Sequence, residues 1–547
     1  MTQSVTIRHP FHFPRLSIWR RLFLGRPHRR GNPRAGCRLH TIGIHILICI
    51  AALSLASRSL SAQSSGKADE GQPPGAPASD PAAVQPSSSP QPIRVAGWTL
   101  GGSLRLRFED WDFFKAQTGD SRYGFGASLL RVSVSRQFRS HDWLFELEQP
   151  WLIGLPSQAI APPPQGQLGF GGTYRAANPD RAAGIFLKQA FVRFKGLAGD
   201  RSSTLRIGRF EFGEGLELNP EGQLGAVVRD RVANRLIGNF GFTHVGRSLD
   251  GIHFSRGASN TNFTVVAARP TEGVFQVKGM KDLNVEIVYG AWSKVHRSLG
   301  EGGGRIFATY YRDGRDVLKT DNRPLPLRSD GHRNISVVTA GGNYVNVFGF
   351  GAGKADVLLW GAVQTGTWGT LAHRANAFAA EAGYQLGTVR FKPWLRGGYF
   401  RGTGDDDPTD GTHRTFFQEL PTPRPFARFP LYNLMNNEDG FVQLTVSPHR
   451  KWTLRSEAHS LSLANAQDLW YIGGGAFQKG TFGYTGRPPG GHKGFAVVVD
   501  LSADYQFDPQ TTFTFYVAHT TGKAVVRNIF PDGPNARLAY VEFNRRF

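Results

Sequence analysis

From Ile93 to Phe547 the chain repeats one pattern: segments of alternating apolar and polar residues, joined by connections that are alternately short and long. Period-two alternation marks a strand with one oily and one wet side. The segments fall near 97–109, 124–138, 142–153, 185–195, 203–213, 250–256, 261–269, 284–292 and 304–313. They continue near 334–347, 355–366, 373–386, 388–401, 440–447, 451–463, 495–507, 511–519 and 536–547. Short joints such as 139–141, 387–388, 447–450 and 508–510 follow even strands, and long ones at 154–184, 214–249, 314–333, 402–439, 465–494 and 520–535 follow odd strands. The joint 293–304 is longer than its place in this scheme demands. An even count of about eighteen strands with joints of alternating length predicts an all-β fold, a single-chain antiparallel transmembrane β-barrel with short periplasmic turns and long outer loops. A β-propeller would show a blade-length repeat, and the sequence has none.

The final segment narrows this further. Ala539, Val541, Phe543 and Phe547 share one face, and Tyr540, Glu542, Asn544 and Arg546 the other, with Arg545 breaking the oily row. An open sheet would leave this last strand as an aggregation edge, whereas a closed barrel pairs it with the first strand. The expectation is that it pairs with the strand beginning near Gly97.

Residues Met1 to Leu39 carry Arg and no acid, and precede the apolar run Ile42–Leu55 and the small-residue exit Leu60-Ser61-Ala62. That order predicts a signal peptide over 1–62. Gln63–Pro92 is rich in Pro, Ser, Gly and Ala and cannot bury enough surface to order itself, which predicts a disordered linker over 63–92 and a barrel over 93–547. Both cysteines, Cys37 and Cys49, lie in the leader, so the exported part can form no disulfide. The leader also holds ten Arg, so the formal charge of +22 falls to +12 beyond it (54 basic against 42 acidic residues). The remaining Arg are scattered at alternate strand positions rather than clustered with aromatics, which argues against nucleic acid and for another anionic partner.

Alternation also assigns faces. Leu104, Leu106 and Phe108 toward lipid send Arg105, Arg107 and Glu109 inward; Arg131, Glu146 and Glu148 follow on the next two strands. The same logic puts Arg193, Glu286, Glu381, Arg390, Arg396, Arg455, Glu457, Asp500 and Asp504 on the polar side. Charges facing lipid are costly, so solvation alone would place these residues inside. A wall with Arg in excess would also attract anions, and guanidinium groups grip uronate carboxylates or phosphates in bidentate fashion.

Three stretches resemble the alginate export family of outer-membrane porins. They are Gly404–Phe417 (GDDDPTDGTHRTFF) with Leu420-Pro421-Thr422 and Ala427-Arg428-Phe429; Ile207-Gly208-Arg209 followed by Arg231–Gly251 (RVANRLIGNFGFTHVGRSLDG); and Asp500–His519 (DLSADYQFDPQTTFTFYVAH). Leu249 stands where the family has Phe. The resemblance implies an eighteen-stranded barrel in the bacterial outer membrane that passes an anionic polysaccharide, an alginate-like polyuronate, by diffusion through a basic constriction. On this sequence the residues for that path are Arg105, Arg107, Arg131, Arg193, Arg209, Arg231, Arg235, Arg247 and Arg455, with Glu146, Glu148, Asp250 and Glu457 beside them. A bulge at Gly208 would change the facing of Arg209. Segment 214–249 is expected to fold partly into the mouth; a plain surface loop fits its length equally well. Outer-membrane lipid, the barrel assembly machinery and a periplasmic export scaffold are the further partners implied, with no cofactor.

The alternatives are a general or phosphate- and small-anion-selective porin and a membrane-embedded polysaccharide-modifying enzyme, for which Glu457 and His459 share one face. No nucleophile elbow, zinc-binding His pair or nucleotide loop is present. Asp405, Asp406, Asp407 and Asp410 offer oxygens to Ca²⁺ but lack the EF-hand pattern, and a solvated acidic loop is the simpler expectation.

Overall fold

The computed structural model describes residues 93–217, 222–258, 260–297, 300–328, 331–422 and 428–547. The expected signal peptide and linker lie outside the described residues. Among these, eighteen long strands follow one another: β1 (Trp98–Asp112), β2 (Arg122–Gln137), β3 (His141–Ile153), β4 (Phe186–Lys195), β5 (Ser203–Phe210) and β6 (Leu249–Gly257). Next come β7 (Thr261–Pro270), β8 (Val285–His296), β9 (Glu301–Asp313), β10 (Ile335–Phe350), β11 (Gly353–Trp368) and β12 (Leu371–Gln385). The last are β13 (Trp394–Gly402), β14 (Asn437–His449), β15 (Trp452–Ser462), β16 (Gly494–Asp508), β17 (Thr511–Gly522) and β18 (Asn535–Arg546). Each pairs antiparallel with its neighbours in sequence, and β18 returns to β1 in a register running from Ser103 opposite Arg546 to Asp112 opposite Arg537. The ring is closed, so no edge is left.

The terminal aromatic finishes the seam. Gly102 N donates to Phe547 O at 2.9 Å and Phe547 N donates back to Gly102 O at 3.0 Å. A Cβ at Gly102 would lie 2.6 Å from the Phe547 ring and 2.4 Å from Arg131 O, so only glycine admits the ring there. Arg545 sits opposite Leu104 and Thr511 at the periplasmic rim, where a charge on the outward row costs little.

Two joints depart from the sequence expectation. β8 and β9 continue to His296 and from Glu301, so the overlong joint 293–304 contracts to 297–300 and the parity of turns is restored. β13 begins at Trp394 rather than at 388, which leaves Arg390 in an exposed turn and off the inward row. On the outer side β11 and β12 are joined by Gly369-Thr370 alone, with Gly369 at φ +64°, where the parity scheme expects a long loop.

The outward row is apolar as expected. Val132, Phe145, Leu147, Ile306, Val363, Leu395 and Val541 are between 41% and 63% exposed, a surface for acyl chains. The inward row changes character along its height. It is charged at mid-barrel, with Arg107, Glu109, Arg131, Glu146, Glu148 and Glu381 buried, and apolar near the outer ends of β5–β9, where Phe210, Leu249, Val285, Ile287 and Tyr289 are buried. Equating apolar with lipid therefore inverts the assignment at these outer ends. Glu286, Arg209 and Asp250 stand on the outward face, contrary to expectation, because Val285, Phe210 and Leu249 take the inward positions.

What makes the inward row apolar there is loop packing. The outer connections carry the helices α1 (Gly169–Ala177), α2 (Gln223–Asp230) and α3 (Ala524–Ile529). One buried cluster joins Val232, Leu236 and Ile237 to Phe416, Phe417, Leu420 and Tyr484 from other loops and to Ile287, Val337 and Leu358 of the wall. A second joins Trp111, Phe113 and Phe114 to Trp470, Phe495 and Phe530. Each such side chain contributes roughly 1.5–3 kcal/mol on burial, so the loops are part of the core.

Candidate functional site

The described residues of 211–248, between β5 and β6, form the segment that most directly occupies the barrel interior. After α2 the chain from Arg231 to Ser248 is buried almost throughout. Its apolar residues seat in the first cluster, and its backbone pairs locally with loop 403–436: Gly238 N donates to Leu420 O at 2.8 Å and Leu420 N donates to Leu236 O at 2.7 Å. Other backbone groups are met within the segment, as by Glu214 N to Ile237 O at 3.0 Å and Arg247 N to Asn239 O at 2.7 Å, and several carbonyls at 241–245 are met by side chains of the wall.

Those side chains come from well-separated strands. From β1, Arg105 Nη1 donates to Gly241 O at 2.7 Å and Nη2 donates to Thr243 O, while Arg107 Nη1 donates to Phe242 O at 2.9 Å. The Arg107 guanidinium also lies 3.8 Å from the Phe242 ring centroid. From β4, Lys188 Nζ donates to Val245 O at 2.6 Å. From β9, Arg305 pairs with Glu214 and lies 3.7 Å from Glu217. From β12, Glu381 receives Arg231 at 2.5 Å and Arg235 at 3.3 Å, and Arg396 of β13 reaches the same carboxylate at 3.2 Å and Asp356 at 3.1 Å. The segment is thus tied to opposite parts of the ring and narrows the space between them.

The nominated residues divide into three groups. Arg131 gathers Glu146, Glu148 at 3.6 Å and Glu211 at 2.7 Å, with Lys188 3.5 Å from both Glu148 and Glu211. Arg455 pairs with Glu457 at 2.7 Å, and Arg231 reaches Glu457 at 4.0 Å. Arg193 pairs with Asp142 toward the periplasmic end. Arg107 bonds Glu542 at 2.6 Å and Glu109 at 3.3 Å. In a second group, Arg105 and Arg247 make no ion pair among the described residues; Arg247 donates to Gly238 O at 3.4 Å and to Gly474 O, beneath the Phe240 ring. The third group, Arg209 and Asp250, pair with each other at 2.6 Å on the outward face and leave the interior altogether.

Lys188, Glu211, Glu214 and Arg305 belong to the site and escaped sequence reasoning. Lys188 sits at a break in the β3–β4 register where Gln189 is also buried, so strict alternation cannot place it. Glu211 falls inside the alternating segment read over 203–213 but just past the end of β5 at Phe210, and Glu214 lies in the following loop with no period to read. Arg305 carried a visible signal, alternation with Phe307 and Thr309 along β9.

The acidic stretch 405–410 is spent on its own turn. Asp410 pairs with Arg414 at 2.6 Å, Arg414 lies 3.5 Å from Asp406, and Asp407 accepts from Thr409 N at 2.8 Å. Among the described residues no group of three or more His, Cys, Asp or Glu could hold a metal. Asp405 instead turns toward Asp468: Asp405 N donates to Asp468 Oδ2 at 2.9 Å, and Thr415 and Tyr471 hydroxyls donate to the same carboxylate at 2.6 and 2.7 Å. Burial pushes Asp405 up to about 7 and Asp468 up to about 6, each against opposing hydrogen bonds.

A sequence model of the alginate export family matches residues 167–529. No curated protein matches the chain. Among solved structures, Pseudomonas aeruginosa OccK9 (OpdG) is similar at 11% identity and a TM-score of 0.50, covering 82% of this chain and 98% of its own. Acinetobacter baumannii OccAB4 gives 7% and 0.49 over 84% and 99%, and P. aeruginosa OccK11 (OpdR) 12% and 0.47 over 82% and 96%.

Proposed function

This chain belongs to the alginate export family and is a β-barrel channel of the bacterial outer membrane, and from that premise we propose that it passes an anionic polysaccharide of the polyuronate type by diffusion along its inward arginines. The observation that carries this reading is the pair Arg105 and Arg247. Both guanidinium groups are hydrogen-bonded only to backbone carbonyls, so neither has a carboxylate as an ion-pair partner among the described residues. Arg247 is only 1% exposed and Arg105 holds Gly241 O and Thr243 O, so in this reading a passing carboxylate reaches them as residues 231–248 yield. It takes a carbonyl's place with a charge-assisted hydrogen bond, while the neighbouring Glu–Arg pairs keep binding weak enough for release. Residues 1–62 serve in this reading as the export signal and 63–92 as a periplasmic spacer, with the barrel assembly machinery and an export scaffold as partners.

The dense packing of 231–248 also suits a smaller anion, because little room is left beside the segment. Blocker size separates the two. In planar bilayers under a salt gradient, the polymer reading expects anion selectivity, block by polyuronate chains, and loss of both in Arg105→Ala/Arg247→Ala. Block by phosphate with indifference to polyuronate would favour the small-anion porin. For the enzyme alternative, His459 Nδ1 is held at 3.0 Å by Asp439 and lies 3.7 Å from Glu457 through Nε2, a set of contacts that a hydrated wall also makes. New reducing ends from polymer, abolished by Glu457→Gln, would replace the channel reading with a catalytic one.

A further inference from the structure

On the outward face, the outer ends of β5–β9 carry a ladder of charges in register. Arg209 lies opposite Asp250, Asp250 opposite Arg269, and Glu286 opposite Arg312. Arg269 reaches Glu286 at 2.8 Å and Asp282 at 3.7 Å, and Arg312 reaches Glu286 at 3.2 Å. This ladder answers its own charge. Arg374, three strands beyond β9 on β12, does not: it is exposed on the same outward face and makes no ion pair among the described residues.

Arg374 stands at the head of a groove. Val338, Ala340, Val363, Thr365 and Asn376 line it together with Arg374, Gln364 and Ala375, as an open depression of the wall rather than an enclosed cavity. The register shows what lies next to it on the membrane side. The row of Val338, Thr365 and Arg374 is followed toward the membrane by Ala340, Val363 and Asn376, and then by Ile306, Gly342, Gly361 and Phe378. The two glycines hollow the wall between the large side chains of Ile306 and Phe378. Arg374 lies three residues below Leu371, where β12 begins, roughly 10 Å along the strand. An outward Arg at that depth is costly unless its long stem carries the charge up to the headgroups or an anion comes down to it.

We infer that this groove seats one acyl chain of a phosphorylated lipid of the outer leaflet, with Arg374 donating hydrogen bonds to its phosphate. The outward apolar side chains of Val338, Ala340 and Val363, the glycine row Gly342 and Gly361 next to them on the membrane side, and an unpaired guanidinium are what one chain and one phosphate require, and the neighbouring ladder offers no comparable free cation. The side chains of Arg374, Val338, Ala340, Val363, Thr365 and Asn376 face away from the interior, and only Gln364 and Ala375 of the lining belong to the inward row.

The test is lipid retention by the full-length protein, purified in a mild detergent, measured by native mass spectrometry. The probes are bisphosphorylated lipid A, its dephosphorylated form, and inorganic phosphate as competitor. The inference expects about tenfold preference for the phosphorylated lipid, equivalent to about 1.4 kcal/mol. Arg374→Ala should abolish that preference and Arg374→Lys should keep most of it. Gly361→Leu, whose Cβ meets nothing closer than Ala377 O at 3.8 Å, should fill the trough and lower retention of both lipids. Equal retention of the two lipids, or a preference that survives Arg374→Ala, overturns the site. Displacement by inorganic phosphate together with indifference to Gly361→Leu would show a free-phosphate site and overturn the lipid assignment.

Discussion

The strand wall and the segment 211–248 are built on opposite principles. Each wall strand is fixed by a backbone ladder to two neighbours, so its side chains tune the surface without deciding the fold. The segment has only scraps of ladder and is held by guanidinium and carboxylate groups reaching from β1, β4, β9 and β12. Stability of the wall is therefore spread over many bonds, whereas the position of the segment depends on a few buried charges. A channel needs both: a wall that survives in the membrane and an obstruction that can yield without unfolding it.

If that contrast holds, Glu381→Gln has the largest effect. It removes the negative charge shared by Arg231, Arg235 and Arg396, and breaking a buried ion pair costs roughly 3–5 kcal/mol. Single-channel conductance should rise and amide exchange across 223–248 should accelerate, while the barrel keeps its gel mobility. Arg105→Ala comes next: losing the hydrogen bonds to Gly241 O and Thr243 O, with no ion pair broken among the described residues, is worth roughly 1–3 kcal/mol, read as faster exchange at 240–245. A change in barrel unfolding of the same size in either variant would erase the contrast.

A pH effect of smaller size belongs to the outer loops. Asp405 and Asp468 have folded-state values raised to about 7 and about 6, so the folded state holds protons that the unfolded state releases. Their protonated forms favour the folded junction at low pH, and this contribution is lost as pH rises through 6 and 7. Exchange in 463–472 should quicken between pH 5 and pH 8, and Asp468→Asn should flatten that dependence. Smallest of all, Val363→Ala on the outward face should shift wall stability by no more than about 0.5 kcal/mol in urea unfolding and leave conductance alone.

The sequence carried the wall well because alternation and joint parity are local. Phe547 as the closing residue, the inward Arg105, Arg107 and Arg131, and the strand count all follow from period two. The rule failed where its premise failed. At the outer ends of β5–β9 the barrel interior is itself apolar, packed by loops, so Phe210, Leu249 and Val285 point in and Arg209, Asp250 and Glu286 point out. The expectation that 214–249 enters the mouth agrees with its buried course, but its anchors Glu214, Arg305 and Glu381 meet across long separations that no single chain displays.

The central claim is that anions pass along guanidinium groups without an ion-pair partner, Arg105 beside this segment and Arg247 within it. The direct test is the reversal potential in planar bilayers under a tenfold salt gradient, for the native channel and for Arg105→Ala/Arg247→Ala. The account predicts a potential of anion-selective sign that moves toward zero in the double variant, with polyuronate block lost in parallel. A cation-selective potential, or one unchanged by removing both arginines, would contradict it.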